Sequence, residues 1–191
     1  KINAIVATDF DRARKEGELA EKSVRENKAL PPLHGLPIGI KDLNATEGLR
    51  TTWGSKLFEN HVPTKDEALV ARLRTSGGII VAKTNTPEFG SGTATNNLVY
   101  GPTHNPFDLA RTSGGSSSGS GAALATNMLP LCQGGDTGGS LRNPATWCGV
   151  VGFRSTPGLV PRENRTLNYT HFNVQGPMAR NVPDIALMMA G

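Results

Sequence analysis

The chain has 191 residues, 37% of them hydrophobic and 19% charged, and a formal net charge of +4. That is apolar enough to build a core and too weakly charged for a disordered chain. Basic residues never form a run longer than two, so no nucleic-acid or membrane-surface patch is expected, and no apolar run approaches the roughly 20 residues that cross a bilayer.

In chain order, Thr8-Asp-Phe-Asp11 resembles a capping box and opens an amphipathic helix over residues 9–27, with Phe10, Ala13, Gly17, Ala20 and Val24 at steps of three and four. Residues 33–43, LHGLPIGIKDL, form a buried strand with a polar end. Thr64-Lys-Asp-Glu67 is a second capping box, for a helix that runs through Thr75 and stops at Gly77-Gly78. Residues 79–85 are a β-branched strand, and 86–113 are mostly loop. A small-residue helix follows at 121–129, then a short strand at 130–133, a brief helix within 140–149 and a strand at 150–153. Asn181 caps a last helix with Pro183 in its first turn; Ile185–Ala190 are apolar on every face. Such a helix is expected to be covered, by a missing part of a longer chain or by another chain. The alternation of strands and helices predicts an α/β fold around a buried sheet.

Cys132 and Cys148 have neither Cys-x-x-Cys spacing nor metal-ligand spacing with the four histidines, so no metal or cofactor is expected and a reduced, cytoplasmic setting is the default. Asn44-Ala-Thr, Asn164-Arg-Thr and Asn168-Tyr-Thr fit the glycosylation pattern, which chance also supplies.

Residues 114–140 hold eight of the 23 glycines and five serines. A linker would separate two self-sufficient patterns; here the Gly/Ser run passes straight into an apolar helix, a strand and a second glycine run. Ordered glycines permit close backbone approach and rows of N–H groups that hold an anion. In Asp136-Thr-Gly-Gly-Ser140 the N–H groups of Thr137, Gly138, Gly139 and Ser140 can converge on one oxygen beside the Ser140 hydroxyl, the arrangement acyl transfer needs. Neither glycine run carries the lysine of a P-loop. Gly115–Gly119 matches Gly-x-Ser-x-Gly, with Asp136 and His171 following in the order of a Ser-His-Asp α/β-hydrolase, but residues 107–113 make a poor strand before it. Lys41, at the end of an apolar strand, is a candidate base that burial would make neutral; paired with Asp42 or solvated it would have no such role.

The segments at 114–160, GLPIGIKD at 35–42, VAKTNTPEF at 81–89, HNPFDLARTSGGSS at 104–117 and QGPMAR at 175–180 together resemble the amidase signature family over nearly the whole chain. The resemblance implies a mixed sheet covered by helices on both faces, with residues 1–191 forming the N-terminal and central part of the domain and the C-terminal part absent. It implies a Ser-Ser-Lys triad of nucleophile Ser140, bridging Ser116 after a cis Gly115–Ser116 peptide, and base Lys41. Ser117, Asp136 and Arg142 are then supporting residues, Lys83 is structural, and Gly90, Ser91 and Gly92 line the acyl pocket. The family usually has glycine where Ser118 stands, which puts the loop geometry in question. The implied activity is hydrolysis of a small-molecule linear amide with no cofactor, no direct nucleic-acid contact and no membrane segment. The implied partner is a second copy or a chain supplying the missing part. The alternatives are a glutaminase component of a tRNA-dependent amidotransferase, and an inert fragment.

Overall fold

The computed structural model describes residues 1–163 and 172–191. In chain order the elements are β1 (Ile5–Thr8), α1 (Phe10–Arg25), β2 (Pro37–Lys41), α2 (Ala68–Thr75), β3 (Ile79–Thr84), α3 (Ser118–Ala125), β4 (Leu131–Asp136), α4 (Arg142–Cys148), β5 (Val151–Gly152), β6 (Val174–Ala179) and α5 (Val182–Ala190), with 3-10 turns at Lys56–Phe58 and Glu88–Gly90. The strands form one mixed sheet in the order β1-β3-β2-β4-β6-β5. Strands β3, β2 and β4 run parallel at its centre, and β1, β6 and β5 are joined antiparallel at the flanks.

Both faces of the central strands are covered, so their residues are almost continuously apolar. On one face Ile38, Ile40, Ile80 and Leu131 pack against Val70 and Leu73 of α2 and Ile185 and Met188 of α5. On the other, Ala82, Cys132 and Met178 pack against Ala122, Ala123 and Leu124 of α3 and Ala145 and Cys148 of α4. The small residues of α3 are a requirement of distance. A Cβ on Gly119 would sit 2.2 Å from the Asn85 backbone nitrogen at the end of β3.

The mixed α/β architecture with helices on both faces is the expected one, but several local details differ. Strands β1 and β6 were not anticipated: β1 is short and carries no alternation, and β6 contains glycine and proline, which disfavour strands. Strand β4 continues to Asp136 through the Gly134-Gly135 pair. Helix α3 begins at Ser118, inside the Gly/Ser run. The cap of α1 is Asp9, whose carboxylate accepts from the Arg12 N–H at 3.0 Å, and not Thr8. The Thr64 box does not form either. Glu67 stands at the start of α2 with no side-chain cap bond and instead accepts from the Ala45 N–H and the Asn44 amide, each at 3.1 Å. Asn181 does cap α5, accepting from the Asp184 N–H at 2.9 Å. Helix α5 buries Ile185 and Met188 and leaves Val182 and Leu187 exposed, so its apolar surface is covered on one side only.

Candidate active site

Strands β2 and β4 pair only at Ile38↔Leu131 and Gly39↔Cys132 and then diverge. Gln133 fills the split: its side-chain oxygen accepts from the Lys41 backbone N–H at 3.2 Å and its amide donates to Gln175 of β6. The alternation of β2 sends Ile38 and Ile40 to the α2 face and Gly39 and Lys41 to the α3 face. Lys41 is 1% exposed, and its Nζ lies 2.6 Å from Ser116 Oγ and donates to Ser117 Oγ at 3.0 Å. Burial lowers its pKa from 10.5 to about 7, opposed by the negative charge of Asp136. Asp42 does not pair with it. That carboxylate turns away to accept from the Thr52 hydroxyl at 2.6 Å and the Thr52 N–H at 3.2 Å. Burial pushes its pKa up.

The Gly/Ser run is wedged in place. Gly114 has φ +85°, and a Cβ there would meet Pro144 Cα of α4 at 3.0 Å; one on Gly115 would meet the Thr93 carbonyl carbon at 3.0 Å. The Gly115–Ser116 peptide is cis. Ser117 is fully buried: its hydroxyl donates to the Gly135 carbonyl and accepts from the Gly135 N–H, both at 3.2 Å. Ser118 opens α3 with its hydroxyl against that of Thr95 and, at 3.4 Å, the Asn85 carbonyl. Its φ is not positive, so serine is accommodated without strain where the resemblance led to glycine being expected.

The second glycine run is organised around Asp136. Its carboxylate accepts from the Gly139 N–H at 2.8 Å, the Leu141 N–H at 3.2 Å, Arg142 Nε at 3.0 Å and Arg154 Nη1 at 2.9 Å. Burial alone would raise its pKa, but these donors outweigh it and hold the group at about 2. The four-donor oxyanion hole needs a correction. The Gly139 N–H is spent on Asp136, which leaves the N–H groups of Thr137, Gly138 and Ser140 without partners among the described residues. The Ser117 N–H donates to the Ser140 carbonyl at 3.2 Å, so the two glycine runs are joined through backbone.

Lys41, Ser116, Ser140, Gly135, Thr137, Gly90 and Gln175 line one cavity of about 410 Å³. Of the three acyl-pocket candidates, Gly90 is there and Ser91 and Gly92 are not. Both of the latter are exposed, and the Gly92 backbone lies against Gly115 instead. The apolar wall is made by Trp53, Phe58 and Phe89, with Trp53 and Phe58 edge to face at 4.8 Å between centroids. These aromatics were missed because they lie in loops with no periodicity. Arg154 was missed too, although a charged residue right after an apolar strand was a usable signal. Lys83 points to the opposite face from Lys41. It is fully buried, donates to the Asn44 carbonyl and, at 2.9 Å, to the Thr46 hydroxyl, and burial lowers its pKa to about 8. It thereby ties the loop after β2 to the sheet.

The Ser-His-Asp alternative loses its geometry. Asp136 has both oxygens engaged by arginines and Ser117 is enclosed; His171 lies outside the described residues. Asn44 is 2% exposed and closed to glycosylation, and Asn164 and Asn168 also lie outside the described residues. Cys132 and Cys148 are both buried and free. Among the described residues no group of three or more His, Cys, Asp or Glu side chains is placed to hold a metal ion, and no helix is long and apolar enough to cross a membrane.

The family model described as Amidase matches residues 1–190. The chain is 42% identical to an acylamidase of Rhodococcus erythropolis over 188 residues, 98% of this chain and 39% of that protein. It is 48% identical to a glutamyl-tRNA(Gln) amidotransferase subunit from Thermus thermophilus over 174 residues, 90% of this chain and 37% of that one. A bacterial aryl acylamidase of the amidase signature family superposes with a TM-score of 0.91 at 31% identity, covering 98% of this chain and 40% of the other. The chain thus spans about two fifths of the length of the relatives it matches.

Proposed function

The chain belongs to the Amidase family, and from that premise we propose that it hydrolyses a linear carboxylic amide through an acyl-enzyme on Ser140, with Ser116 and Lys41 as its proton relay. The observation that carries this reading is Lys41: a lysine buried to 1% exposure, with a pKa near 7, 2.6 Å from Ser116 Oγ in the cavity that Ser140 also lines. A neutral amine there has one N–H for Ser117 and a lone pair for the Ser116 proton.

In this mechanism Lys41 takes the proton of Ser116 while Ser116 takes that of Ser140. Ser140 Oγ bonds to the carbonyl carbon, and the oxyanion faces the free N–H groups of Thr137, Gly138 and Ser140, each worth ~10²–10³ in rate. The C–N bond breaks as Ser116 returns a proton to the leaving nitrogen and is reprotonated by Lys41. Water then attacks the ester, gives its proton to the same relay and releases the acid. Asp136 and Arg142 brace the loop that carries the donors, and Gly90 lines the cavity beside Ser116. A complete amide-hydrolysing domain would extend beyond these residues, as the coverage of the relatives supports.

Incubation with a fluorophosphonate probe and peptide mass spectrometry tests this. A single adduct on Ser140 is expected, absent in Ser140→Ala; a folded, unlabelled protein would instead be the inert fragment. The 48% identity to an amidotransferase component favours a second reading, a glutaminase within a tRNA-dependent complex. Hydrolysis confined to glutamine and dependent on partner proteins would establish that reading over a free-standing amidase.

A further inference from the structure

We infer that Gln175 is a specificity-determining residue, whose side-chain nitrogen recognises a neutral carbonyl oxygen that the substrate carries away from its scissile amide. The word substrate rests on the hydrolase reading; the recognising group lies outside the proton relay. Gln175 stands on β6 directly opposite Gly135 of β4, and both line the cavity that Lys41, Ser116 and Ser140 share. Residue 135 is one step before Asp136, which anchors the loop of free N–H groups, so the side chain is placed at the reacting end of the sheet.

The orientation of this amide is dictated by backbone. Gln133 Oε1 accepts from the Lys41 N–H at 3.2 Å, and Gln133 Nε2 donates to the Gly134 carbonyl at 2.7 Å. A backbone N–H needs an acceptor and a backbone carbonyl needs a donor, so the Gln133 amide has one arrangement only. Its second N–H then requires an oxygen, which is Gln175 Oε1. The nitrogen of Gln175 is left as the free end. Gln175 is 7% exposed, and Nε2 has no hydrogen-bond partner among the described residues. The unpaired polar side-chain atoms that are sealed from outside are Asn44 Oδ1, Thr86 Oγ1 and the Tyr100 hydroxyl. Nε2 is not one of them, so it is open, and the space it opens to is the cavity. Gly135 keeps that space clear, since a Cβ there would stand 3.1 Å from Gln175 Oε1.

Two N–H donors with no acceptor match an oxygen that only accepts. A hydroxyl would bring a donor that Nε2 cannot use. A carboxylate would accept, but a neutral amide does not offset the desolvation of a full charge. A ketone, ester or tertiary amide carbonyl fits, and Trp53, Phe58 and Phe89 give the rest of such a molecule an apolar wall.

The test is calorimetric binding to the Ser140→Ala protein of straight-chain primary amides of about seven to nine carbons with a ketone on the penultimate carbon. Each is paired with the amide in which a methylene replaces the ketone. At the length that reaches Gln175 the ketone is expected to bind about threefold tighter or more, although it is the better hydrated member. Adding Gln175→Glu leaves an oxygen for Gln133 and puts an acceptor where the two donors were; the preference is then expected to reverse. The parent also reads the contact without that variant. The Gln175 side-chain N–H resonances are expected to shift when the ketone binds and to stay when the methylene partner does. Equal binding at every length, no binding of either series, unmoved Gln175 resonances, or a preference that survives in folded Gln175→Glu overturns the inference. Turnover by the unmodified protein separates the two claims. A binding preference without hydrolysis of any pair removes the hydrolase reading and keeps the recognition point. Hydrolysis of both members at the same kcat/KM, with no binding preference, does the reverse.

Discussion

Lys41 Nζ lies 2.6 Å from Ser116 Oγ, and the neighbouring carboxylate of Asp42 faces away from both. Among the described residues the lysine therefore has no counter-charge in contact, and desolvation brings its pKa down to about 7. As a base it must be neutral, which it is above that pH. The expected kcat/KM profile falls about tenfold per pH unit below pH 7 and levels off above it. Lys41→Ala is expected to lose about 10³ or more in kcat/KM. A profile flat from pH 5 to 9, or near-full activity of the variant between pH 7 and 9, would remove Lys41 as the base.

The same burial has a cost in stability, with a definite sign. Between about pH 7 and 10.5 the unfolded chain carries a proton on Lys41 that the folded chain has released. The penalty is full below pH 7, where it amounts to about 5 kcal/mol, and fades as the pH rises toward 10.5. Replacing the lysine by methionine removes the charge but leaves Ser116 and Ser117 without their partner, about 1–2 kcal/mol each. Lys41→Met is expected to be more stable than the parent at pH 6 and to lose that advantage by pH 10. Urea unfolding at pH 6, 8 and 10 measures it; a pH-independent difference would mean the ammonium is solvated in the folded protein.

Asp136 gives the opposite dependence. Its pKa is depressed from 3.8 to about 2, so its contribution is present above pH 4 and is lost as the pH falls through 2. The shift is worth about 2 kcal/mol, less the screening that reaches the half-exposed Arg142. Asp136→Asn is expected to lower stability at pH 6 by about that much, to flatten the acid limb between pH 4 and 2, and to slow turnover by freeing the Thr137–Ser140 loop. A variant with the parent's acid limb would assign the loop's order to other contacts.

The sheet's central strands were legible because they are continuous apolar runs, and Lys41 stood out as the charge that ends one of them. The glycine runs were legible as chemistry because helix and strand patterns continue directly out of them. What escaped detection has a common physical origin. Strand β6 is held by pairing with β4 across Gly134 and Gly176, a tertiary ladder that overrides weak strand propensity. The Gly139 donor was misassigned because spacing puts four N–H groups near Ser140 but cannot say that Asp136 takes the one three residues on. The Trp53, Phe58 and Phe89 wall comes from loops whose encounter is set by the fold alone.

The two glycine runs are further distinguished by what a methyl group would meet. At Gly119 a Cβ would fall 2.2 Å from the Asn85 nitrogen and 2.5 Å from the Ala4 carbonyl oxygen, both backbone atoms that the sheet holds in place. At Gly138 nothing lies within 4 Å, and φ is not in the positive range. Gly119→Ala must push α3 away from β3, and with it Ser116 and Ser117 away from Lys41. It is expected to cost about 3 kcal/mol or more in denaturant unfolding and to abolish labelling of Ser140. Gly138→Ala keeps its N–H and is expected to change stability by less than about 0.5 kcal/mol. If alanine at 119 were tolerated as well as at 138, the close contact between α3 and the end of β3 could not be what seats the serines against the lysine.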